Sequence, residues 1–433
     1  MAETIKLIAN NLLKKIRSKY IVKRIFDNLE ENKMLDLIHY NKYYQKLMNK
    51  TLKDYKNKFS KIEIEIIPVK NEYGKFINIL NKNIHIYFND NQEEINRKKI
   101  TKNDKVKKIK IIISPQIKSL SKFFFKCTCI KKINFIKFNR DDIKDMSSLF
   151  EECSLLEEIN LSNINTNEVE DMNSMFSGCK SLKELNISNF NTNKVTYMFF
   201  MFSDCISLKE LNLSNFNTNE VEDMSSMFYG CTSLKELNLS NSNTNKATDM
   251  SSMFYDCSSL KVLNLSNFNT NKVIDMNSMF SGCKSLKKLN LANFNTNKVI
   301  DMSSMFSDCE SLTKLNLSNF NTNKVTDMGF MFNNCSLLKE LNLDNFNTNK
   351  VTDMSFMFNN CSSLKELNLS NFDTNKVNNM SFIFFGCFSL KKLNISNFKI
   401  TNLTDLSYMF EDCSSNLSLI CSNDKIKKEF KKY

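Results

Sequence analysis

Twelve of the fourteen cysteines lie at Cys127, Cys153, Cys179, Cys205, Cys231, Cys257, Cys283, Cys309, Cys335, Cys361, Cys387 and Cys413, each 26 residues after the last. This spacing constrains the fold more than any other feature of the chain. A disulfide framework does not repeat at one fixed step, whereas a stacked array does, because every coil contributes one residue to each column along its length. Composition agrees. Of 433 residues, 42% are hydrophobic and 25% charged, enough to bury a core, and 6 Gly and 2 Pro exclude collagen-like and Pro-rich chains.

Written from its first leucine, the unit reads L-K-E-L-N-L-S-N-F-N-T-N-K-V-T-D-M-S-S-M-F-x-G-C-x-S, and we number its positions as slots 1 to 26. Leu208, Leu211 and Leu213 occupy slots 1, 4 and 6. Leu211 and Leu213 point one way and Asn212 the other, the period of two of a short strand. Phe216 at slot 9 and Val221 at slot 14 re-enter the core on either side of a polar N-T-N turn. Met224, Met227, Phe228 and Cys231 then fall at i, i+3, i+4 and i+7, which predicts a helix of about two turns with Asp223 as its N-cap. Slot 23 holds Gly, Asp or Asn from Gly178 to Asp412, residues that accept the left-handed conformation ending a helix. The predicted fold class is α/β: a leucine-rich-repeat-like solenoid of 26-residue strand–turn–short-helix coils. It runs over residues 104–421, as a capping coil and about eleven regular coils. A basic tail, 422–433, places Ile426, Phe430 and Tyr433 on one helical face that closes the last coil.

At these residues the chain resembles the BspA-like leucine-rich-repeat family, and in particular its mycoplasma-type repeat of unknown function. The family signature, L-x-x-L-x-L-S-N-F-x-T-x-x-V-x-D-M-S-x-M-F-x-x-C-x-S, recurs through residues 130–421, for example at Leu260–Met279 and Leu312–Met331. The resemblance implies a solenoid that binds other proteins. Many members of that family are surface proteins and adhesins, so a cell-surface adhesin or antigen is one reading it carries.

The first quarter of the chain is different. Residues 1–110 hold 26 basic and 13 acidic side chains, a net charge equal to the whole chain's +13, so the repeat region is neutral overall. Residues 1–58 read as a helical module. Within 18–48, Ile21, Ile25, Phe26 and Leu29 share a helical face, then Met34, Leu35 and Ile38, then Tyr44, Leu47 and Met48. Three short amphipathic helices in this order resemble an F-box, although the usual Leu-Pro and Trp are missing. That resemblance implies a substrate adaptor docking a ubiquitin-ligase linker through 18–48. Residues 59–103 read as a small strand-containing segment and basic linker, with Ile62, Ile64 and Ile66 inward in K-I-E-I-E-I-I-P-V and a second strand at N-I-H-I-Y-F. Arg97, Lys98, Lys99, Lys102, Lys105, Lys107, Lys108 and Lys110 form either a patch for nucleic acid or an acidic membrane surface, or a solvated loop into a strand at Ile109–Ile113.

Catalysis lacks raw material. Only His39 and His85 are present, neither beside a nucleophile motif, and the phosphate-binding and dinucleotide-binding glycine patterns are missing. No cofactor or small-molecule substrate is expected. One thiol per coil beside Met and Phe reads as core rather than metal ligand, as does the pair Cys127 and Cys129. The start shows no signal-peptide pattern, no stretch reaches about 18 apolar residues, and lipidation motifs are missing, so a cytoplasmic location is expected. A surface location would need a non-standard route.

Two surfaces are candidates for a protein partner. Outward strand residues form an Asn column at slot 5: Asn160, Asn186, Asn212, Asn238, Asn264, Asn290, Asn316, Asn342 and Asn368. It is either a recognition face or simply a solvated sheet. Slot 19, usually Ser, becomes Phe200, Phe330, Phe356 and Phe382, with Phe385, Phe388 and Tyr408 nearby in the frame. An outward aromatic stripe is either a partner surface or packing for the C-terminal tail.

Overall fold

The computed structural model describes residue 16, residues 18–28, residue 46 and residues 60–433. Helix α1 (Lys19–Asp27) is the described part of the segment read as F-box-like. Within it Val22 is buried, Ile25 half-buried and Ile21 exposed. Apart from residues 18, 28 and 46, the remainder of that segment, His39 included, lies outside the described residues.

The solenoid starts on an antiparallel sheet. Strands β1 (Ile62–Pro68), β3 (Ile84–Phe88) and β5 (Ile109–Ile113) alternate buried Ile or Phe with more exposed polar residues, the pattern of a sheet covered on one face. Their order continues through β6 (Ile130–Phe138) into β7 (Glu158–Asn160), giving β3-β5-β1-β6-β7. Strand β6 pairs antiparallel with β1 and parallel with β7, so it is the rung on which the repeat stacks. A short hairpin-like pair, β2 (Gly74–Lys75) with β4 (Lys99–Ile100), lies beside it. The Ile109–Ile113 strand thus belongs with β1 and β3, and a boundary drawn at residue 104 falls inside this module.

From there parallel rungs at slots 3 to 5 recur in short separate runs, such as Glu210–Asn212 on Glu236–Asn238 and Glu366–Asn368 on Lys392–Asn394, while the coils at 184–186, 314–316 and 340–342 hold the same place without a strand. Slot 6 leucines are buried and slot 5 is exposed, as the period of two requires. The solenoid and its 26-residue coil are as expected. The short helix is not.

Slots 17 to 24 form two successive turns with a left-handed residue third in each. In the coil after Asp249, Met253 N–H donates to the Met250 carbonyl at 3.3 Å and Cys257 N–H to the Phe254 carbonyl at 3.1 Å. Ser252 and Asp256 have φ of 53° and 52°. Positive φ confined to the third residue is the mark of a type II turn. Intervening N–H groups leave the coil: Met250, Ser252, Phe254 and Asp256 donate to the carbonyls of Asp275, Asn277, Met279 and Ser281 at 2.7–3.1 Å. A helix needs those donors for its own i−4 carbonyls, so the inter-coil ladder and a helix exclude each other. Asp223 keeps its capping chemistry without one, accepting from Ser225 N–H at 2.9 Å and Ser225 Oγ at 2.6 Å.

The core is built of columns. One Phe per coil, Phe124 to Phe410, stacks on the next with centroids 5.4–5.9 Å apart. Met, Val and Leu columns surround it, nearly all fully buried. Helix α2 (Asp424–Phe430), capped by the Asn423 side chain, buries Ile426 and sets Phe430 edge-on against Phe410 at 5.2 Å.

Candidate functional site

The aromatic stripe is real and continuous over four coils. Phe330, Phe356, Phe382 and Tyr408 stack with centroids 4.5, 4.6 and 4.7 Å apart, closer than the rings of the buried column. All four sit at φ 55–59°, the left-handed position of the first turn, where other coils place Ser. Left-handed backbone suits Gly or Asn and is unusual for a bulky residue. The slot 19 serines are buried or half-buried, as are Phe356 and Phe382, whereas Phe330 and Tyr408 at the two ends of the row are 38% and 48% exposed. Phe385 leans on Phe382 at 5.6 Å, and Phe388 beyond it is 58% exposed. Helix α2 docks on Phe410, a buried-column residue, and the chain end brings Tyr433 near Tyr408 at the last ring of the stripe. Phe200 stands outside this stack, its ring paired among the described residues with that of its neighbour Phe199 at 6.0 Å.

The Asn column has a structural task. In each coil the slot 5 Oδ1 accepts the backbone N–H two residues on, which turns the corner after the strand. Asn160, Asn186, Asn212, Asn238, Asn264, Asn290, Asn316, Asn342 and Asn368 all do so, at 2.8–3.3 Å. Around Asn186, Asn212 and Asn238 the strand face forms an open groove of about 750 Å³, lined also by Glu184, Glu210 and Glu236.

Part of the basic segment is spent internally. Arg97 holds both oxygens of Asp104, one at 2.7 Å, and this guanidinium bond drives the Asp104 carboxyl far below the usual range. Lys108 pairs with Asp90 at 2.8 Å and Glu65 at 3.5 Å, and Lys110 with Glu63 at 3.3 Å. Lys98, Lys99, Lys102, Lys105 and Lys107 stay exposed, Lys99 in β4 and the others in the connecting segments. His85 bonds Glu94 at 3.0 Å.

Each cysteine of the column, from Cys153 to Cys413, donates its S–H to the carbonyl of the slot 21 Phe one coil earlier, at 3.1–3.2 Å. All fourteen cysteines are free. Burial pushes the Cys231 and Cys283 thiols up to about 12, so they are inert as nucleophiles or ligands. Among the described residues no three His, Cys, Asp or Glu side chains are grouped to hold a metal, and no helix is long and apolar enough to cross a membrane.

The slot 11 threonine was hidden in what reads as a polar turn. Thr322 is 1% exposed; its Oγ1 donates to the Asn347 carbonyl at 2.9 Å and accepts the Asn347 N–H at 2.8 Å. The same clamp recurs at Thr166, Thr192, Thr244, Thr270 and Thr296. Its only trace in the sequence is the constancy of Thr between two asparagines.

Solved structures similar to this chain include a leucine-rich-repeat protein. A leucine-rich-repeat protein of Leptospira interrogans is 18% identical over 67% of this chain and 62% of its own, with a TM-score of 0.27. The Toll–Spatzle complex of Drosophila gives 15% identity over 62% of this chain and 44% of that one, TM-score 0.23. The functional domain of InlJ from Listeria monocytogenes, which includes a cysteine ladder, gives 18% over 72% and 70%, TM-score 0.15. This chain thus spans less than two thirds of the length of the first two. No curated protein matches. The repeat family described as "Mycoplasma protein of unknown function, DUF285" matches residues 118–241, 248–342 and 336–428, well over half of the chain. With its leucine rungs, its slot 24 cysteines and its 26-residue coil, the chain belongs to that family.

Proposed function

We propose that the chain is a non-enzymatic protein-binding scaffold whose recognition surface is the aromatic ladder Phe330–Phe356–Phe382–Tyr408, flanked by Phe385 and Phe388. The observation that carries this reading is that four stacked aromatics, exposed at Phe330 and Tyr408 and half-buried between them, stand where most coils place Ser, on a left-handed backbone. Stacking leaves ring edges outward over about 300 Å², taking roughly 200 Å² for each of the four aromatic side chains, a patch size that on monomers is often functional. A solenoid presents such a row as a rigid straight strip, because each ring is fixed by its own coil. The chemistry supports binding rather than turnover: the buried thiols are unreactive, and His85 is tied to Glu94.

Affinity purification from the native cell tests this with the full chain and with Phe356→Ser/Phe382→Ser, which restores the residue found in the other coils. A partner retained by the first and lost by the second is the expected result. The same proteins captured by both would refute the ladder as the recognition surface.

A further inference from the structure

Ion pairs between coils show how near one column member lies to the next. Lys126–Glu152, Lys132–Glu158, Lys144–Glu170, Glu168–Lys194, Glu220–Lys246, Lys284–Glu310 and Lys314–Glu340 are all 26 residues apart, with N–O distances of 2.5–3.2 Å. Positions related by one coil are therefore within direct contact range of charged side chains. At slot 13 the column begins with alternating signs, Glu168, Lys194, Glu220 and Lys246, and neutralises itself. It then becomes Lys272, Lys298, Lys324, Lys350 and Lys376, five exposed lysines in consecutive coils. Among the described residues none of the five has an ion-pair partner, and each lies at contact spacing from its like-charged neighbours. Over slots 10 to 15 of these coils the slot 11 Thr and slot 14 Val are buried, and the surface is otherwise Asn, Ile, the slot 15 Thr and a single acid, Asp373.

We infer that this lysine column is a second interaction surface, whose partner is an α-helix bearing one carboxylate per turn along one face. The spacing selects the helix. Rungs of a parallel stack are about 4.8 Å apart, and a helix advances about 5.4 Å per turn. Over five rungs the two drift apart by roughly 2–3 Å, which flexible lysine side chains absorb. An extended strand presents same-face side chains about 6.7 Å apart and loses register sooner. Single-stranded nucleic acid is held by aromatic side chains on which bases stack, and slots 10 to 15 of these coils have none. A planar anionic membrane would favour a broad basic face, and here the flanking columns are uncharged. The carboxylate–lysine contact itself is the one the fold already uses between coils.

The test uses the full chain and a synthetic Ala-rich helical peptide of about five turns with one Glu per turn on one face. Its comparators are the same composition with Glu scattered around the helix, a poly-dT oligonucleotide, and phosphatidylserine-containing vesicles. The one-face peptide is expected to bind at least tenfold more tightly than every comparator, with affinity falling as salt rises. Lys298→Glu/Lys350→Glu recreates the alternating pattern of the first coils and should abolish binding without lowering the unfolding temperature. Lys298→Gln/Lys350→Gln, which alters charge alone, should weaken it at least tenfold. Equal affinity for the scattered peptide, tighter binding of oligonucleotide or vesicles, or undiminished binding by the Gln variant would overturn the inference.

Discussion

Ser242 interrupts the slot 9 column of phenylalanines between Phe216 and Phe268, and five residues on Ala247 replaces the slot 14 valine. Both are buried, at 1% and 0% exposure, and Ser242 Oγ has no hydrogen-bond partner. The turn of the same coil registers the loss, and the flanking turns do not. Asn219 N–H and Asn271 N–H are each capped by the asparagine two residues earlier, and Asn217 and Asn269 each reach an asparagine of the preceding coil at 2.7–2.8 Å. Asn243 makes neither bond among those of the described residues. Replacing a buried Phe by a small residue costs about 3–5 kcal/mol, and an unsatisfied buried hydroxyl adds about 1–3 kcal/mol. Part of this is recovered by local collapse, so Ser242→Phe with Ala247→Val should return about 3 kcal/mol to this coil. Because solenoid stability is close to a sum of neighbour terms, the deficit stays local. Hydrogen exchange is the direct assay: amides of residues 234–259 should exchange faster than those of the flanking coils. The double change should slow them by about 150-fold, the equivalent of 3 kcal/mol. Phe320→Ser, a control in a regular coil, should create a second fast segment. Uniform exchange along the array, or a double variant that exchanges no more slowly, would refute the reasoning.

Burial holds the Asp171, Asp275 and Asp327 carboxyls above the usual carboxylate range, with stacked Asp neighbours adding to it, so the native state binds protons more readily than the unfolded chain. Stability should therefore fall as pH rises through these raised values and be fullest below the unfolded value near 3.8 at these sites, read by thermal unfolding across acidic pH. Asp275→Asn should stabilise by about 0.2–1 kcal/mol through loss of like-charge contact, since natural Asn379 keeps both acceptor bonds of this slot; a lowered unfolding temperature would count against this. Thr322→Val strands the buried N–H and carbonyl of Asn347 and should cost about 2–4 kcal/mol in chemical denaturation. Alkylation in denaturant without reductant should label all fourteen cysteines by intact mass, and in the native state the partly exposed Cys413 and Cys421 should react first; a disulfide-linked pair would contradict the packing.

The array was legible because its columns are written one residue per 26, and each column's side chain states its own burial. Leu211, Phe228 and Cys231 needed no further information. The misassigned helix has a physical origin. Two four-residue turns in tandem place inward residues at i, i+3, i+4 and i+7, as a helix does, so Met224, Met227, Phe228 and Cys231 fit both. Slot 23 revealed its left-handed backbone through Gly, Asn and Asp, but slot 19 hid the same conformation behind Ser and Phe, which do not favour it. The stripe could be read because it departs from the repeat. The partners of Lys108 and Lys110 could not, since Asp90, Glu65 and Glu63 reach them only through the β-sheet pairing of distant segments.

The turn ladder also gives the molecule a direction. From Leu120–Lys126 to Met380–Gly386, every junction carries four hydrogen bonds of 2.7–3.3 Å, always from N–H of the earlier coil to carbonyl of the later. In each such peptide the carbonyl faces the amino-terminal end and the N–H the carboxy-terminal end, so four columns of aligned dipoles run the length of the array, as one does in a helix. Among the described residues the N–H groups of Leu406, Tyr408, Phe410 and Asp412 have no acceptor, and they form the electropositive pole. Two copies meeting by these ends would oppose donor to donor. End-to-end growth of such arrays is therefore permitted in one sense only, tail onto head, and here the head is already covered, since Phe123 gives its carbonyl to Asn78 of the amino-terminal module.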